Sequence, residues 1–333
     1  MGKPELQPPC EAEPAGRPLA KRRLADRGWY PADLVVLGYL VITGLFVLLA
    51  PLPWAAKEEY ATLHFLFLLV VLLLHYVPRS ASRPLHFFRH IYAFLSLPFL
   101  YKAIPEINRI TSPGYFDDWV ARYESLIFGC QPSQIFYSAV PWVVLSEFLH
   151  LTYMFYLVLV PIVSLTLYFS KRFDAVEEFT TTVMATFLFC YAIFSIFPVR
   201  GPFYYFGPID PSMKGVLFPQ LTHDMLTRGA AVGTAFPSSH VAVAVAIWLA
   251  ARRHLRRLSH VLMVVAASIF VGTVYGGFHY ALDAVAGLAV GILFGWLGPR
   301  LHSWLRGLIG PTLPAPGAII LTPRARFSQR PGR

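Results

Sequence analysis

Long apolar runs separated by short polar stretches dominate the chain. The runs lie near residues 33–52, 60–78, 86–104, 141–169, 179–198, 239–251, 260–276 and 283–299. Several reach the roughly 20 residues that a helix needs to cross a bilayer. The pattern predicts an all-α, polytopic membrane bundle of about eight transmembrane helices. The third run is interrupted by Arg89, His90 and Lys102, and the sixth is short. Residues 105–140 are mixed, with Asp117-Asp118-Trp119 and Tyr123-Glu124-Ser125-Leu126, and read as an amphipathic or re-entrant segment at the membrane surface. Residues 199–238 form a long loop rich in Gly, Pro and Tyr. Residues 1–30 and 300–333 are basic and Pro-rich and are expected to be disordered tails.

Composition strengthens this reading. The chain has 333 residues, of which 56% are hydrophobic and 14% charged. Soluble domains carry roughly 25% charged residues. The net charge of +10 does not point to nucleic acid, because the basic residues gather between apolar segments, where a topology signal sits. With the N-terminus inside and eight spans, 21 of the 28 basic residues fall on the inner side. That bias predicts an N-in, C-in protein with both tails in the cytoplasm. The first run is longer than a signal-peptide core and is read as a retained span. Cys10, Cys130 and Cys190 offer neither a disulfide framework nor a zinc pattern. Arginine outnumbers lysine and Asn108 is the only asparagine, usage that fits a GC-rich bacterial genome. The expected location is a bacterial plasma membrane, or an ER or Golgi membrane in a eukaryote.

Two motifs carry chemistry, Ala235-Phe-Pro-Ser-Ser-His240 and Gly276-Gly-Phe-His-Tyr-Ala-Leu-Asp283. His279 and Asp283 are four apart and share one face of a helix. A carboxylate on one ring nitrogen fixes the tautomer and leaves the other free to attack phosphorus. His240 follows Ser238 and Ser239 at a helix start, where a serine cap and free N–H groups suit a phosphate. Arg200 opens Arg200-Gly201-Pro202 just past the fifth span, and its planar guanidinium matches two phosphate oxygens. Under the predicted topology these residues share the outer face. Glu147, with His150 and Tyr153 beyond it, reads either as a packing hydrogen bond or as lining for a polyol headgroup. A metal reading would draw on His223, Asp224, His240, His279 and Asp283, which show no tight zinc spacing; no metal and no cofactor is expected.

With these residues quoted, the chain resembles the type 2 phosphatidic acid phosphatase superfamily. More narrowly it resembles the inositolphosphotransferase branch, which includes fungal inositol phosphorylceramide synthase. Thr273-Val274-Tyr275 before His279-Tyr280 and Asp283, and the stretch from Asp117 through Pro132-Ser133, are similar to that branch. The resemblance implies a six-helix catalytic core, with residues 31–110 as additional N-terminal membrane helices and residues 111–299 as the catalytic membrane domain. It implies metal-free transfer of a phosphoryl or phospho-headgroup from a lipid phosphate or phospholipid through a phosphohistidine. His279 would be the nucleophile, Asp283 its orienting partner and His240 the general acid. Arg200, Ser238 and the backbone near Ser239 would hold phosphate. Two positions depart from the superfamily: Ile193 stands where a lysine is usual, and Thr273 where an arginine is usual. Arg228 or Lys214 is the expected compensation. A lipid phosphate phosphatase is the alternative enzyme, and a non-catalytic transporter or lipid scaffold the alternative from another class.

Overall fold

A helix covers most of each of the eight apolar runs in a computed structural model of the chain. The structure describes residues 28–309 apart from 51–52, 79–81, 113, 211–214 and 230. The long helices are α1 (Pro31–Leu49), α2 (Glu58–Leu74), α3 (Arg83–Thr111), α6 (Val143–Phe169), α7 (Phe173–Ile196), α10 (Ser239–His254), α11 (Arg256–Tyr275) and α12 (Ala281–Ile309). Between them lie the shorter α4 (Asp117–Phe128), α5 (Pro132–Ala139), α8 (Pro202–Tyr205) and α9 (Phe218–Gly229). No strand occurs among the described residues. Five helices, α1, α6, α7, α11 and α12, are each long and apolar enough to cross a membrane. The other three long helices fall outside that class. α2 and α10 have 17 and 16 residues, and α3 carries charge along its length. This is an all-α, polytopic, integral membrane fold.

α7 and α10 form the interior. α7 has 78% of its apolar window buried, against 39% for α12. α10 is lined on all sides with small apolar residues, and Val241 to Ile247 are all buried. A helix apolar all round belongs inside. α12 meets α10 through glycines spaced like a helical stripe, at 287, 291 and 295. A Cβ at Gly287 would stand 2.4 Å from Ser238 O, and one at Gly291 2.6 Å from Ala242 O. The two backbones touch because these positions carry no side chain. That contact aligns the start of α12 with the start of α10, which are the two motif positions.

The 105–140 region resolves into the last turns of α3 followed by α4 and α5. α4 is amphipathic in an unusual sense. Its buried face carries Asp117, Val120, Ala121 and Glu124, while Trp119, Tyr123 and Leu126 are exposed. Two of its three acids thus face the protein, while the aromatic and aliphatic side chains turn outward beside Asp118 and Arg122, a mixture that suits a helix at a lipid interface. Gly129, with φ +70°, ends the helix in the left-handed conformation.

Two features differ from the sequence reading: the stretch 199–238 holds α8 and α9, and the last helix ends later. The last helix does not stop at 299 but runs to Ile309. The added turns bury His302 and Leu305, and Arg306 reaches Asp174 at 2.8 Å. The tail expected from 300 is therefore structured in its first ten residues. The remaining expected tails lie mostly outside the described residues.

Candidate active site

Two helix starts and one loop build the site. Ser238 caps α10, its Oγ accepting from Val241 N at 3.5 Å. Ser238 N donates to Asp283 O at 2.9 Å, fastening this loop to the first turn of α12. The N–H groups of α10's first turn point out of the helix end, a geometry that receives anions.

His279 sits in the turn between α11 and α12 and is buried. Its N–H and that of Phe278 donate to Thr273 O at 3.1 and 3.0 Å, which fixes the turn. The Nδ1 of its ring lies 3.0 Å from Ala235 O and 3.5 Å from Asp283 Oδ2. Both neighbours are acceptors, so Nδ1 carries the proton and Nε2 is left with its lone pair. Asp283 is fully buried, and its Oδ2 also accepts from Tyr280 N at 2.9 Å. His240 lies edge-to-face with His279, the ring centroids 5.6 Å apart. On its other sides it stacks on Tyr153 at 4.6 Å and packs at a tilt against Tyr156 at 4.4 Å. Its Nδ1 is buried without a hydrogen-bond partner, so stacking and not a hydrogen bond at that nitrogen holds the ring.

Arg200 belongs to the same assembly. Val199 pairs with Thr234 in a parallel bridge, and Ala235 N donates to Val199 O at 2.9 Å. Gly201, at φ +87°, lies so close that a Cβ would stand 3.0 Å from Phe278 O and 3.1 Å from Ala235 Cβ. Asp117 of α4 organises this loop. Its Oδ2 accepts from Arg200 N at 3.0 Å and Nε at 3.3 Å, and its Oδ1 from Gly201 N at 3.0 Å. Arg200 remains about one third exposed, with its guanidinium 5.1 Å from the Tyr115 ring centre. Three separate stretches of sequence thus converge on a histidine pair, a carboxylate, a capped helix start and one arginine.

Residues 119–297 match the PAP2 superfamily. The chain belongs to the PAP2 superfamily. No curated protein and no solved structure matches it. Membership in PAP2 makes this a phosphatase- or phosphotransferase-type enzyme of lipid phosphates. The match spans α4 to α12, and leaves α1 to α3 outside it.

Two of the expected PAP2 positions have a structural account. Thr273, where an arginine is usual, is fully buried, with its hydroxyl on Phe270 O at 3.0 Å. Ile193 is half-buried near the end of α7 and adds no charge.

Glu147 and Arg228 have partners of their own. Glu147 caps α9, accepting from Leu217 N and Phe218 N at 2.9 Å each and from Val216 N. Its carboxylate is engaged with the backbone that leads into α9. Arg228 is exposed and lies 3.5 Å from Asp224 on its own helix. Lys214 lies outside the described residues. Among the described residues no group of three or more metal-ligating side chains comes together.

Sequence reasoning missed the part played by Asp117, Glu124, Tyr156 and Tyr280. The two acids had a signal, since they are seven apart and share a helix face. Tyr280 is fully buried, with its hydroxyl 3.4 Å from Asp117 Oδ1. Tyr156 carried no signal, because tyrosines are common throughout the spans.

Proposed function

We propose that this PAP2 protein transfers a phosphoryl or phospho-headgroup from a lipid donor to an alcohol, in the manner of an inositolphosphotransferase. The observation that carries the reading is the His279 ring, whose Nδ1 faces two oxygens and whose Nε2 is left to react. Nε2 attacks phosphorus, and the bond from phosphorus to the leaving oxygen breaks. His240 gives that oxygen a proton. The phosphohistidine is then attacked by the acceptor hydroxyl, whose proton passes to His240, and His279 leaves as the neutral ring. Asp283 stabilises the imidazolium-like ring during both steps. Arg200, the Ser238 cap and the N–H groups at Ser239 oppose the charge on the phosphoryl oxygens. The mechanism assigns no role to a cofactor or a metal.

The buried Thr273 favours transfer over hydrolysis within the superfamily. It removes one of the cations that a phosphate monoester, with its extra charge, would call for. Residues 111–299 act as the catalytic domain and α1 to α3 as an accessory membrane unit. α10 places His240 12 residues before Arg252 and 13 before Arg253, a rise of about 18–20 Å along the helix. With the arginine end in the cytoplasm, the site opens to the extracytoplasmic side. A cysteine at exposed Gln220 should then react with an impermeant thiol reagent in intact cells, and one at exposed Arg257 should not; the reverse pattern refutes this orientation.

The direct test is incubation of the purified protein with phosphatidylinositol and a labelled lipid alcohol. A new labelled phospholipid supports transfer. Release of free phosphate from a lipid phosphate without any such product makes the protein a phosphatase. No turnover of either kind leaves only the scaffold reading.

A further inference from the structure

Three buried carboxyls surround the start of α12: Asp117 and Glu124 on α4, and Asp283 on α12 itself. Their side chains are 1%, 0% and 0% exposed. Asp117 is matched by Arg200 and Asp283 by His279. Glu124 has no cationic partner among the described residues. Its Oε1 accepts instead from Ala281 N, at the first residue of α12. Its other oxygen, Oε2, is buried without a hydrogen-bond partner, and so is Oδ1 of Asp283. Two unsatisfied carboxyl oxygens thus flank one helix turn, from carboxyls attached at Ala281 N and at Asp283.

Two buried anions of like sign at one place are costly, and each orphaned oxygen adds its own desolvation penalty. One proton answers both problems. A neutral Glu124 keeps Oε1 as the acceptor for Ala281 N–H. Its Oε2–H then serves as donor to Asp283 Oδ1, leaving Oδ2 to His279. We propose that Glu124 is a positioning residue of the transfer site, a neutral acid that holds the start of α12 and shares its proton with Asp283. The proposal rests on the reading of His279 as nucleophile, and it adds a fourth member behind the His240–His279–Asp283 group.

Glu124 lies on α4, which is not among the helices long and apolar enough to span a membrane. Burial, with the Asp283 carboxylate adding to it, pushes its carboxyl up to about 7. The titratable and charged groups around it are Asp283 and Tyr280 on the α12 side, His279 behind Asp283, Asp117 on its own helix, and Arg200 beyond Asp117. The sign follows directly. A carboxyl raised above its ordinary 4.5 favours the folded, proton-sharing arrangement below that value and loses it as pH rises through about 7. Activity should therefore fall on the alkaline side.

The experiment uses the full chain in detergent or liposomes, with kcat and KM measured from pH 5 to 9 on the substrate pair that supports turnover. Glu124→Ala should lower kcat at least tenfold, with KM within about twofold. Glu124→Gln, which keeps the acceptor and supplies an N–H toward Asp283, should recover most of that loss. It should also lose the alkaline fall. Infrared difference spectra at pH 6 should show a protonated-carboxyl band in the parent that is missing from Glu124→Gln. If Gln is as impaired as Ala, or the alkaline limb stays in place, or the band persists, the proposal fails. Should Glu124→Ala not fold, the Gln pH profile and the infrared band decide alone. Turnover that survives in His279→Ala would overturn the reading of the site itself, a result independent of the infrared band.

Discussion

The two ends of the bundle handle charge in opposite ways. At the arginine end each acid faces a base. Asp33 is held by Arg89 through Nη1 at 2.8 Å and through a second, shorter contact. Glu178 meets Arg253 at 3.2 Å and His254 at 3.3 Å, and Asp174 meets Arg306 at 2.8 Å. At the histidine end three buried carboxyls gather around one arginine and two histidines. Charges that cancel in pairs fix a structure and have little else to do. An unbalanced buried set must either bind a counter-charge or carry protons, and that is what acid–base and nucleophilic chemistry uses. The comparison locates the reactive end without appeal to the motifs.

If this contrast is right, substitutions at the two ends should separate activity from stability. The largest effect is expected for His279→Ala. It should cut turnover on the order of 10⁴-fold, with thermal stability nearly unchanged, as checked by initial rates and a melting curve. Asp117→Asn comes next. It weakens the grip on Arg200 and on the Arg200 and Gly201 N–H groups, and should lower kcat about 100-fold, with a smaller change in KM.

A glycine pair sharpens the packing side of the account. Gly287→Ala should cost about 1–3 kcal/mol of stability, because its Cβ would meet Ser238 O at 2.4 Å. It should also lower activity, since Ser238 lies in the site. Gly307→Ala, where nothing lies within 4 Å, should be neutral or stabilise by about 0.5–1 kcal/mol. Equal behaviour of the two would mean that the close approach of α10 and α12 is not what aligns the motifs.

The smallest effect belongs to the arginine end. Arg253→Gln breaks a partly exposed pair with Glu178 and should cost about 0.5–1 kcal/mol, leaving kcat within twofold. A loss of activity comparable to Asp117→Asn would erase the distinction between the ends.

The helices were legible because long apolar runs have few alternatives in a membrane protein. So were His240, His279 and Asp283, whose spacing is a local, helical fact. Arg200 was legible as a position, but its tie to Asp117 was not. That tie joins residues 83 apart in sequence and depends on how α4 lies against the loop. The partners of Glu147 were hidden in the same way. An acid near a span end invites a ligand reading, and only the fold shows that three backbone N–H groups of the 216–218 segment occupy it. The end of α12 was missed because Arg300 and Arg306 look like a polar tail. One sits beneath Trp296 at 3.9 Å and the other is paired with Asp174. Trp296 lies one turn away, but Asp174 is 132 residues off and outside any local window of sequence.

The central claim is that His279 takes the phosphoryl group. Rapid quenching of the enzyme with a donor lipid labelled at phosphorus, followed by peptide mapping, tests it most directly. The account predicts an acid-labile, alkali-stable label on the peptide carrying His279, and no label in His279→Ala. Label on another residue, or undiminished label in the mutant, would contradict it.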